Sequence, residues 1–556
     1  MIDAGIHVKG MGYQDAVNYL TSRTDNSPAK VIGEVNRYVS WPGQAPSYMI
    51  GNLEIRRLRE AARATMGDKF DIRQFHDRVL EQGQVTLPLM TRQVERWIAA
   101  APKSAVVATP SDRPNIVVVL VDDLRFDEFH AGGHPYLETP NMDRLAGEGA
   151  LFVNAFHAVP LCSPNRATLL TGQYPSRHGI VDNTARDLAS HHLETFNIPL
   201  QAAGYRTAFL GKWHMGNDPT PRPGWDYWVA MPGQGHATDP ELFEDGALHK
   251  VPGYTTDLLT DRAISFIKRE HGKPFLLYLA HKAVHPDIVQ RNDGSLDPDS
   301  DRGYVPAARD EGHYNGKVYP PRGGPSDLNA DLAGKPAIRQ ALARLPKAPP
   351  AFADEHQHAS TGWSGDATIR RRAEMIRGVD QSLGRIIAEL DSLGLLDKTV
   401  IVLSSDNGFF FGEHGLTTER RLPYEESIRN PLFVRYPAKV PAGSRPKGLA
   451  LTVDLAPTML ELAGVPISPS IQGRSLVPLF RSLPTDWRQS VLVEFTTNDQ
   501  PFPHLRDMDY RAVRTARYKY IHWIKNPGMD ELYDLSADSL ERHNVVADPG
   551  QAKVHR

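Results

Sequence analysis

The sequence of 556 residues has little cysteine and almost no net charge. Its single cysteine, Cys162, excludes a framework of internal disulfides and leaves the redox compartment open. Lys and Arg number 63 against 66 Asp and Glu, so the formal net charge is only -3. This balance argues against a protein that binds nucleic acid or an anionic membrane. The expected partner is a small or neutral-surfaced molecule.

Long apolar runs are also missing. No run of about 18 apolar residues occurs, so the sequence predicts no membrane-spanning helix. The first residues, MIDAGIHVKGMGYQDAV, lack the apolar centre of a signal peptide, and as printed the sequence predicts a cytoplasmic protein. A periplasmic or secreted protein is the alternative if the N-terminal segment is a fusion or if translation starts elsewhere. The oligomeric state is left open.

Three regions follow from the changing pattern of residues. Residues 1–108 predict a helical segment, because apolar residues recur at helical spacing in stretches such as NLEIRRLREAARATMG. Residues 113–484 predict an α/β domain. Residues 485–556 predict a small α+β subdomain with an antiparallel sheet, because short strands alternate with turn signals.

The central region contains four short apolar runs that end in polar residues. They are NIVVVLVDD, TAFLGKWH, PFLLYLAHKAVH and TVIVLSSDNG. Helical stretches lie between them, which is typical of a mostly parallel sheet whose ligands gather at the carboxyl ends of the strands. The Pro/Gly/Asp-rich region from about 286 to 365 is too long for an ordinary connection and is expected to shape a binding mouth.

Acidic and amide side chains follow two of these runs. Asp122 and Asp123 end the first, and Asp406 and Asn407 end the last. Together they offer the oxygen ligands that Ca²⁺ or Mg²⁺ prefers. The alternative is that both pairs only mark strand ends and turns.

Basic residues are predicted at the same edge of the sheet. A lysine, an arginine and several histidines beside a cation suit an oxyanion such as sulfate or phosphate. Each histidine alone is better explained as a structural residue than as a catalytic one. Of the two in LAHKAVH, His285 is favoured over His281 because it precedes Pro286, where the strand ends. The residues are Arg166, Lys212, His214, His281 and His285.

The stretch LCSPNRATLLTG resembles the signature of the formylglycine-dependent sulfatases, C-x-P-x-R followed by a short helix and T-G. The order of VDD, CSPNR, GKWH, AHKAVH, DNG, YEESIRNPLFVRYP and ELYDL is similar to this family from about Asn115 to the end. The resemblance implies an alkaline phosphatase-like fold: a large mixed, mostly parallel sheet flanked by helices. Residues 113–484 would then be the catalytic domain.

The resemblance also implies why the one cysteine is present. In this family a maturation enzyme reads C-x-P-x-R on the unfolded chain and converts the cysteine to Cα-formylglycine. Cys162 would thus be an aldehyde precursor and, once converted, a ligand of the cation beside Asp122, Asp123, Asp406 and Asn407. Ca²⁺ is the expected cation and Mg²⁺ also fits the ligand type. The alternative for Cys162 is a buried, inert thiol.

A role for each remaining catalytic residue comes from the same resemblance. One hydroxyl of the formylglycine hydrate attacks sulfur with Asp406 as the base, and His285 protonates the leaving alcohol. His214 then takes a proton from the second hydroxyl, so that sulfate leaves. Arg166 and Lys212 hold the hydrate and neutralise developing charge.

One position departs from the family pattern. Many relatives have a second lysine between DNG and YEES that binds sulfate oxygens, and this sequence has none there. Arg420 or Arg421 is the predicted replacement, with His281 as a further substrate-binding residue. The alternative is that both arginines lie on a solvated loop and pair with Glu419 or Glu425.

The first hundred residues resemble the C-terminal part of an uncharacterised family of bacterial metallopeptidase-like proteins that carry HExxH. The similar stretches are GIHVKGMGYQDAVNYL, EVNRYVSWPGQAPSYMIGNLEIRRLRE and FDIRQFHDRVLEQGQV. No HExxH occurs in this sequence, so no zinc site is predicted.

The resemblance as a whole implies hydrolysis of sulfate monoesters, with a sulfated saccharide or other small molecule as substrate and the maturation enzyme as partner. A phosphonate monoester or phosphodiester hydrolase is the enzymatic alternative. An inactive sulfatase-like binding protein is the alternative from another class.

Overall fold

The computed structural model describes most of the chain. The described residues are 2–24, 26–66, 70–81, 83, 85–100, 113–270, 272–320, 332–344, 365–416, 420–497, 505–551 and 554. They form two compact units, Met1–Val107 and Ala108–Arg556. Part of the predicted binding mouth lies outside the described residues, at 321–331 and 345–364.

The N-terminal unit is helical, as predicted. Its described helices are α1 (Ile2–Lys9), α2 (Tyr13–Thr21), α3 (Pro28–Ser40), α4 (Gln44–Met66), α5 (Ile72–Leu80) and α6 (Leu87–Ala100). Leu58 and Ala62, one turn apart on α4, pack with Phe75 and Val94 in a buried cluster. The apolar spacing of the sequence therefore becomes the buried face of α4.

The second unit is built on a nine-stranded mixed sheet. The described strands of the whole unit, which also contains a two-stranded and a four-stranded sheet, are β1 (Asn115–Val121), β2 (Ala150–Phe152), β3 (Ala155–Phe156), β4 (Arg206–Lys212), β5 (Tyr227–Met231), β6 (Glu241–Glu244), β7 (Ala247–Lys250), β8 (Phe275–Ala280), β9 (Thr399–Ser405), β10 (Leu432–Arg435), β11 (Ala450–Leu451), β12 (Ser490–Phe495), β13 (Tyr510–Thr515), β14 (Tyr518–Trp523) and β15 (Glu531–Asp534). The order in the large sheet is β2-β10-β9-β1-β8-β4-β5-β6-β7.

The centre of this sheet is parallel and its edges are antiparallel. β9, β1, β8, β4 and β5 run in one direction, and β10 and β6 reverse it on either side. Val119 of β1 is in register with Leu279 of β8 and Leu403 of β9. Every residue of β1 is buried, as the continuous apolar run NIVVVLV predicted.

Helices cover both faces of the sheet. Those described in this unit are α7 (Pro140–Glu148), α8 (Cys162–Thr171), α9 (Pro175–His178), α10 (Asp187–His191), α11 (Asn197–Ala202), α12 (Thr255–Glu270), α13 (Pro336–Leu342), α14 (Asp366–Ser392), α15 (Glu425–Ile428) and α16 (Leu455–Leu462). Val118 belongs to the core that includes Leu169 of α8, whereas Val119 belongs to the core that includes Ile376 of α14. Alternate residues of β1 thus face opposite helical layers.

The end of the chain forms the predicted small antiparallel sheet. β12, β13, β14 and β15 pair in that order. Its apolar face, with Tyr510 and Trp523, shares a core with Phe410 and Leu422 of the α/β part. Among the described helices of the whole chain, none has the length and apolar character needed to span a bilayer.

Candidate active site

The carboxyl ends of the parallel strands bring the predicted polar residues together. Asp122 and Asp123 follow β1, Asp406 and Asn407 follow β9, and Lys212 ends β4. All five are fully buried. Because β9, β1, β8 and β4 are neighbours in the parallel part of the sheet, these side chains leave it at the same edge.

Cys162 lies at the same place, as the first residue of α8. Its Sγ and carboxylate oxygens of Asp122 and Asp406 all lie within 4.8 Å of one another. The N-terminus of a helix carries a positive partial charge, which favours negative charge at position 162. Gly172 ends α8 with a φ of 66°, and a Cβ there would lie 2.8 Å from the side chain of Ile471. The left-handed backbone and the lack of space for a Cβ explain why the motif has glycine at position 172.

The unmodified thiol is poorly suited to be a nucleophile in this environment. Burial, with the charge of Asp406 beside it, raises the pKa of the Cys162 thiol to about 12. A reactive cysteine instead needs a lowered pKa. The protein groups that contact Cys162 therefore favour the neutral thiol over the thiolate.

Two cations neutralise two of the carboxylates. The Lys212 ammonium pairs with Asp122, and the Arg166 guanidinium lies 2.8 Å from Asp406 and 3.5 Å from Asp122. Burial raises the pKa of Asp122, but Lys212 and Arg166 outweigh it and hold that pKa below its ordinary value. Burial and the charge of Asp122 raise the pKa of Asp406 to about 7. Of the two carboxylates, Asp406 is thus the better proton acceptor.

The oxygen donors fit a hard divalent cation. Among the described residues, no hydrogen-bond donor reaches Oδ1 of Asp122 or Oδ1 of Asn407, although both atoms are buried. Nδ2 of Asn407 donates to Oδ1 of Asp123 over 2.6 Å, which fixes the amide. Buried oxygens normally have a donor, so these two can accept a cation. Asp122, Asp123, Asp406 and Asn407 could hold it with position 162.

The two predicted catalytic histidines are both buried at this edge. Nδ1 of His285 lies 2.8 Å from the carbonyl of Pro286, and its Nε2 lies 3.0 Å from a guanidinium nitrogen of Arg420. The carbonyl can only accept and the guanidinium can only donate, so the ring is neutral with its proton on Nδ1. Burial, Lys212 and Arg420 lower the pKa of His285 well below its usual value. A proton on Nε2 therefore requires the negative charge of a bound substrate.

His214 stands two residues after β4, with a left-handed φ of 60°. Burial and the charges of Lys212 and Arg166 lower the pKa of His214 well below its usual value. Its Nε2 lies 2.7 Å from Oε1 of Gln290, and its Nδ1 lies 3.4 Å from Oγ of Ser163, the residue after Cys162. The base predicted for position 162 is therefore neutral and near that position.

Of the two candidate arginines, Arg420 reaches the site. Its guanidinium lies 3.1 Å from Oδ2 of Asp123 and 3.0 Å from Nε2 of His285. Arg421 is also buried, but its backbone carbonyl accepts from the hydroxyl of Tyr510 in the C-terminal sheet. The structure thus places Arg420 against both Asp123 and His285.

The alternative for these arginines, a solvated loop with ion pairs to nearby glutamates, does not describe this loop. Arg420 and Arg421 are only 6% and 5% exposed. Glu425 pairs with Arg514 and Lys519 of the C-terminal sheet. Glu419 lies outside the described residues.

His281, the first residue after β8, contacts a helix that covers the sheet. Its Nε2 lies 3.2 Å from Oγ of Ser382 on α14, and that hydroxyl bonds Thr260 on α12. Burial lowers the pKa of His281 to about 4. His281 thus packs as a neutral residue between the sheet and two helices, and its role in binding substrate stays a prediction.

Residues that the sequence did not single out hold the ligands in place. Asn165, the variable position between Pro and Arg in the motif, bonds the backbone carbonyl of Asp406 over 2.5 Å and the hydroxyl of Thr452 over 2.7 Å. Arg372 of α14 donates over 2.7 Å to the carbonyl of Asp123, whose φ is 58°. Position within the motif could have identified Asn165, whereas no local signal marked Arg372.

Comparisons with known proteins decide the family of this chain. The Sulfatase family model matches residues 114–465, more than half of the chain. The chain belongs to the sulfatase family. It is a sulfuric ester hydrolase with the alkaline phosphatase-like fold that its sequence predicted.

Known sulfatases are similar over most of this chain. The N-acetylglucosamine-6-O-sulfatase of Bacteroides thetaiotaomicron is 32% identical over 499 residues, which cover 80% of this chain and 84% of that protein. The N-acetylglucosamine-6-sulfatase of Homo sapiens is 29% identical and covers 79% and 82%. A protein solved in complex with its substrate D-glucosamine-2-N,6-O-disulfate has a TM-score of 0.68 at 30% identity, over 80% of this chain and 95% of that one.

Two other family models match the ends of this sulfatase. The model described as "N-sulphoglucosamine sulphohydrolase, C-terminal" matches residues 412–556, and that described as "Bacterial protein of unknown function (DUF885)" matches residues 1–94. The first extends the sulfatase match to the end of the chain. The second is compatible with the separate resemblance seen in the N-terminal helices.

Removing the N-terminal unit is expected to leave an active sulfatase. The Sulfatase match begins at residue 114, and all the site residues lie in the second compact unit. We expect a protein that begins after Ala108 to keep its unfolding temperature within a few degrees and its turnover within about threefold, because a domain has its own core. Circular dichroism and kinetics on an aryl sulfate measure both. A folded truncated protein without turnover would contradict this.

The oxygen set is expected to hold one divalent cation. Elemental analysis of the purified sulfatase should give about one Ca²⁺ or Mg²⁺ per chain, and Asn407→Ala should bind it at least tenfold more weakly, because one ligand is lost. Asn526→Ala is the matched control, since Asn526 lies in the C-terminal subdomain. Zn²⁺ bound by His214 and His285 would refute the prediction.

Proposed function

We propose that this sulfatase removes the 6-O-sulfate of a glucosamine-containing saccharide, with Cys162 matured to Cα-formylglycine and Ca²⁺ as the cation. One observation carries the proposal: the first residue of α8 lies beside Asp122 and Asp406, and Lys212 and Arg166 flank the same carboxylates. The residues that would bind the sulfate, hold the cation and supply the nucleophile therefore lie together at one point.

The choice of sugar is supported by the relatives. Two of them are named for 6-sulfated N-acetylglucosamine, and a protein of similar structure was solved with a 6-O-sulfated glucosamine as its substrate. The phosphonate monoester hydrolase of Agrobacterium radiobacter, at 22% identity and a TM-score of 0.63, is similar in fold alone. The balance of similarity therefore favours a sulfated amino sugar.

The chain's own residues have distinct tasks in this reaction. When present, a formylglycine hydrate and a divalent cation supply an oxygen nucleophile and a Lewis acid. Asp406 is placed to accept a proton next to position 162. Arg166 and Lys212 offset the charge that develops on the sulfate oxygens.

On the leaving-group side, two residues act together. Arg420 contacts Nε2 of His285, so a sulfate ester bound beside this pair would meet a guanidinium and an imidazole edge. Negative charge on the ester favours a proton on Nε2, which His285 can pass to the departing alcohol. His214 lies on the other side, near Ser163, where it can receive a proton from position 162.

A substrate panel tests the proposal. Protein produced with a formylglycine-generating enzyme should release sulfate from N-acetylglucosamine 6-sulfate with a kcat/KM at least tenfold above that for galactose 6-sulfate, because site contacts to hydroxyls discriminate strongly. An aryl phosphodiester and an aryl phosphonate are included. Preference for either over aryl sulfate would replace the proposal with the alternative hydrolase. Bound cation and converted Cys162 without any turnover would indicate a binding protein.

A further inference from the structure

A loop of the predicted binding mouth lies over His214. After β8 the chain forms a narrow turn in which Gln290 bridges Leu296. Gln290 is only 7% exposed, and its Oε1 lies 2.7 Å from Nε2 of His214. A residue from the long irregular region thus contacts the ring of a predicted catalytic base directly.

The orientation of the Gln290 amide is fixed by its other partners. Its Nε2 donates to the carbonyl of Gly294 over 2.7 Å, and a carbonyl can only accept. Its Oε1 also accepts from Nε2 of Gln234 over 2.8 Å. A flipped amide would place an oxygen against the Gly294 carbonyl and a nitrogen against the Gln234 nitrogen. The oxygen of Gln290 therefore faces His214.

This orientation determines where the proton lies on a neutral His214 ring. An amide oxygen 2.7 Å away requires a hydrogen on Nε2, because two lone pairs at that distance repel. Nδ1 is then the unprotonated nitrogen. It lies 3.4 Å from Oγ of Ser163, whose own hydrogen is directed to the carbonyl of His214. Nδ1 thus keeps its lone pair beside Ser163, the residue after position 162.

We propose that Gln290 is a positioning residue that holds His214 in the Nε2–H tautomer and so makes Nδ1 the proton acceptor for position 162. The inference rests on the proposed function. With formylglycine at position 162, His214 would act after the alcohol has left. Nδ1 would take the proton of the remaining hydroxyl, the O–H electron pair would form the aldehyde C=O bond, and the C–O bond to sulfate would break with its electron pair on sulfate. Orientation of a catalytic imidazole by its second nitrogen is a general device.

The tautomer can be measured without turnover. Protein containing ring-¹⁵N histidine is studied by long-range ¹H–¹⁵N correlation NMR, and the His214 signals are those missing from His214→Gln. We expect the Nε2–H pattern in the wild-type protein. In Gln290→Leu, which keeps the volume but removes the acceptor, we expect a mixture or the Nδ1–H pattern.

Gln234→Leu is the matched control. Gln234 is as buried as Gln290 and belongs to the same hydrogen-bond cluster, but its bond goes to Gln290 and not to His214. A merely structural role for the cluster predicts similar losses in Gln234→Leu and Gln290→Leu. A tautomer role predicts Nε2–H in the first and its loss in the second.

Kinetics on a sulfate ester give a second readout. Because His214 acts after the alcohol has departed, Gln290→Leu should lower kcat about tenfold to a hundredfold while KM falls with it, and kcat/KM should change little. Packing damage would lower kcat/KM as well. A wild-type Nδ1–H ring, or unchanged tautomer and kcat in Gln290→Leu, would overturn the inference. The Nε2–H ring in a wild-type protein that turns over no sulfate ester would support the tautomer and refute the proposed function.

Discussion

Active protein is expected to carry an aldehyde in place of the thiol at position 162, and Cys162→Ala is expected to lose at least about 10⁴-fold in kcat, since the nucleophile is removed. The physical reason lies in the site itself. A buried thiol with a pKa raised to about 12 supplies little thiolate. A thiol that attacked sulfate would also form a thiosulfate ester with no easy exit, whereas a hydrated aldehyde can re-form its carbonyl.

The same sequence provides its own control for this prediction. The protein is made with and without a formylglycine-generating enzyme, and the peptide that contains position 162 is analysed by mass spectrometry. Turnover should rise in proportion to the aldehyde fraction, with no other residue altered. Cys162→Ala made under the same conditions should still fold and bind the cation through Asp122 and Asn407. Full activity in a preparation that contains only thiol would refute the mechanism.

Much of the fold could be predicted because its signals are local. The run NIVVVLV is apolar throughout, which requires cover on both faces, and β1 is indeed central in the sheet. The polar residues after β1 and β9 were expected at one edge because the carboxyl ends of parallel strands share it. Gly211, in GKWH, has no room for a Cβ, which would lie 2.0 Å from the carbonyl of Ala280. The glycine in this sequence motif is therefore the residue that packing against β8 requires.

The rest of the site depends on turns that sequence spacing does not determine. His281 and His285 are four residues apart, but β8 has ended and the chain turns between them. His285 consequently faces Arg420, while His281 faces Ser382. Gln290 comes from a loop whose path is set by its contacts and by no repeating pattern. Residues after a strand end are therefore located in space by tertiary packing, which one sequence does not reveal.

Substitution of Arg420 and of Arg421 is expected to affect turnover very differently, although the two residues are adjacent. Arg420→Ala is expected to lower kcat on a sugar sulfate about a hundredfold, or roughly 3 kcal/mol, because a donor oriented toward the leaving group is lost. Arg421→Ala is expected to keep most of the turnover in folded protein, since the backbone carbonyl of residue 421 still accepts from the hydroxyl of Tyr510 in the C-terminal sheet. Kinetics at saturating substrate compare the two.

Arg420 also pairs with Asp123, so the effect on the cation has to be separated from the effect on the leaving group. Arg420→Lys is the matched variant: it keeps the positive charge, and the sulfatases that this sequence resembles often have lysine in this region. We expect the kcat of Arg420→Lys to remain within about tenfold of the wild type, because lysine keeps the positive charge and loses only the planar donor fork of arginine. Cation content is measured for both variants by elemental analysis.

How strongly the loss of kcat depends on the leaving group decides whether Arg420 acts on the leaving alcohol or on the cation site. An alcohol that leaves a sugar carries more developing negative charge than a nitrophenolate, which stabilises its own charge. A donor beside the leaving oxygen therefore contributes more for the sugar sulfate, since only interactions that strengthen in the transition state accelerate the reaction. We expect Arg420→Ala to lose about a hundredfold on the sugar sulfate but less than about tenfold on nitrophenyl sulfate. Equal losses on both substrates would assign Arg420 to the cation site, and no loss in either arginine variant would mean that neither replaces the missing lysine.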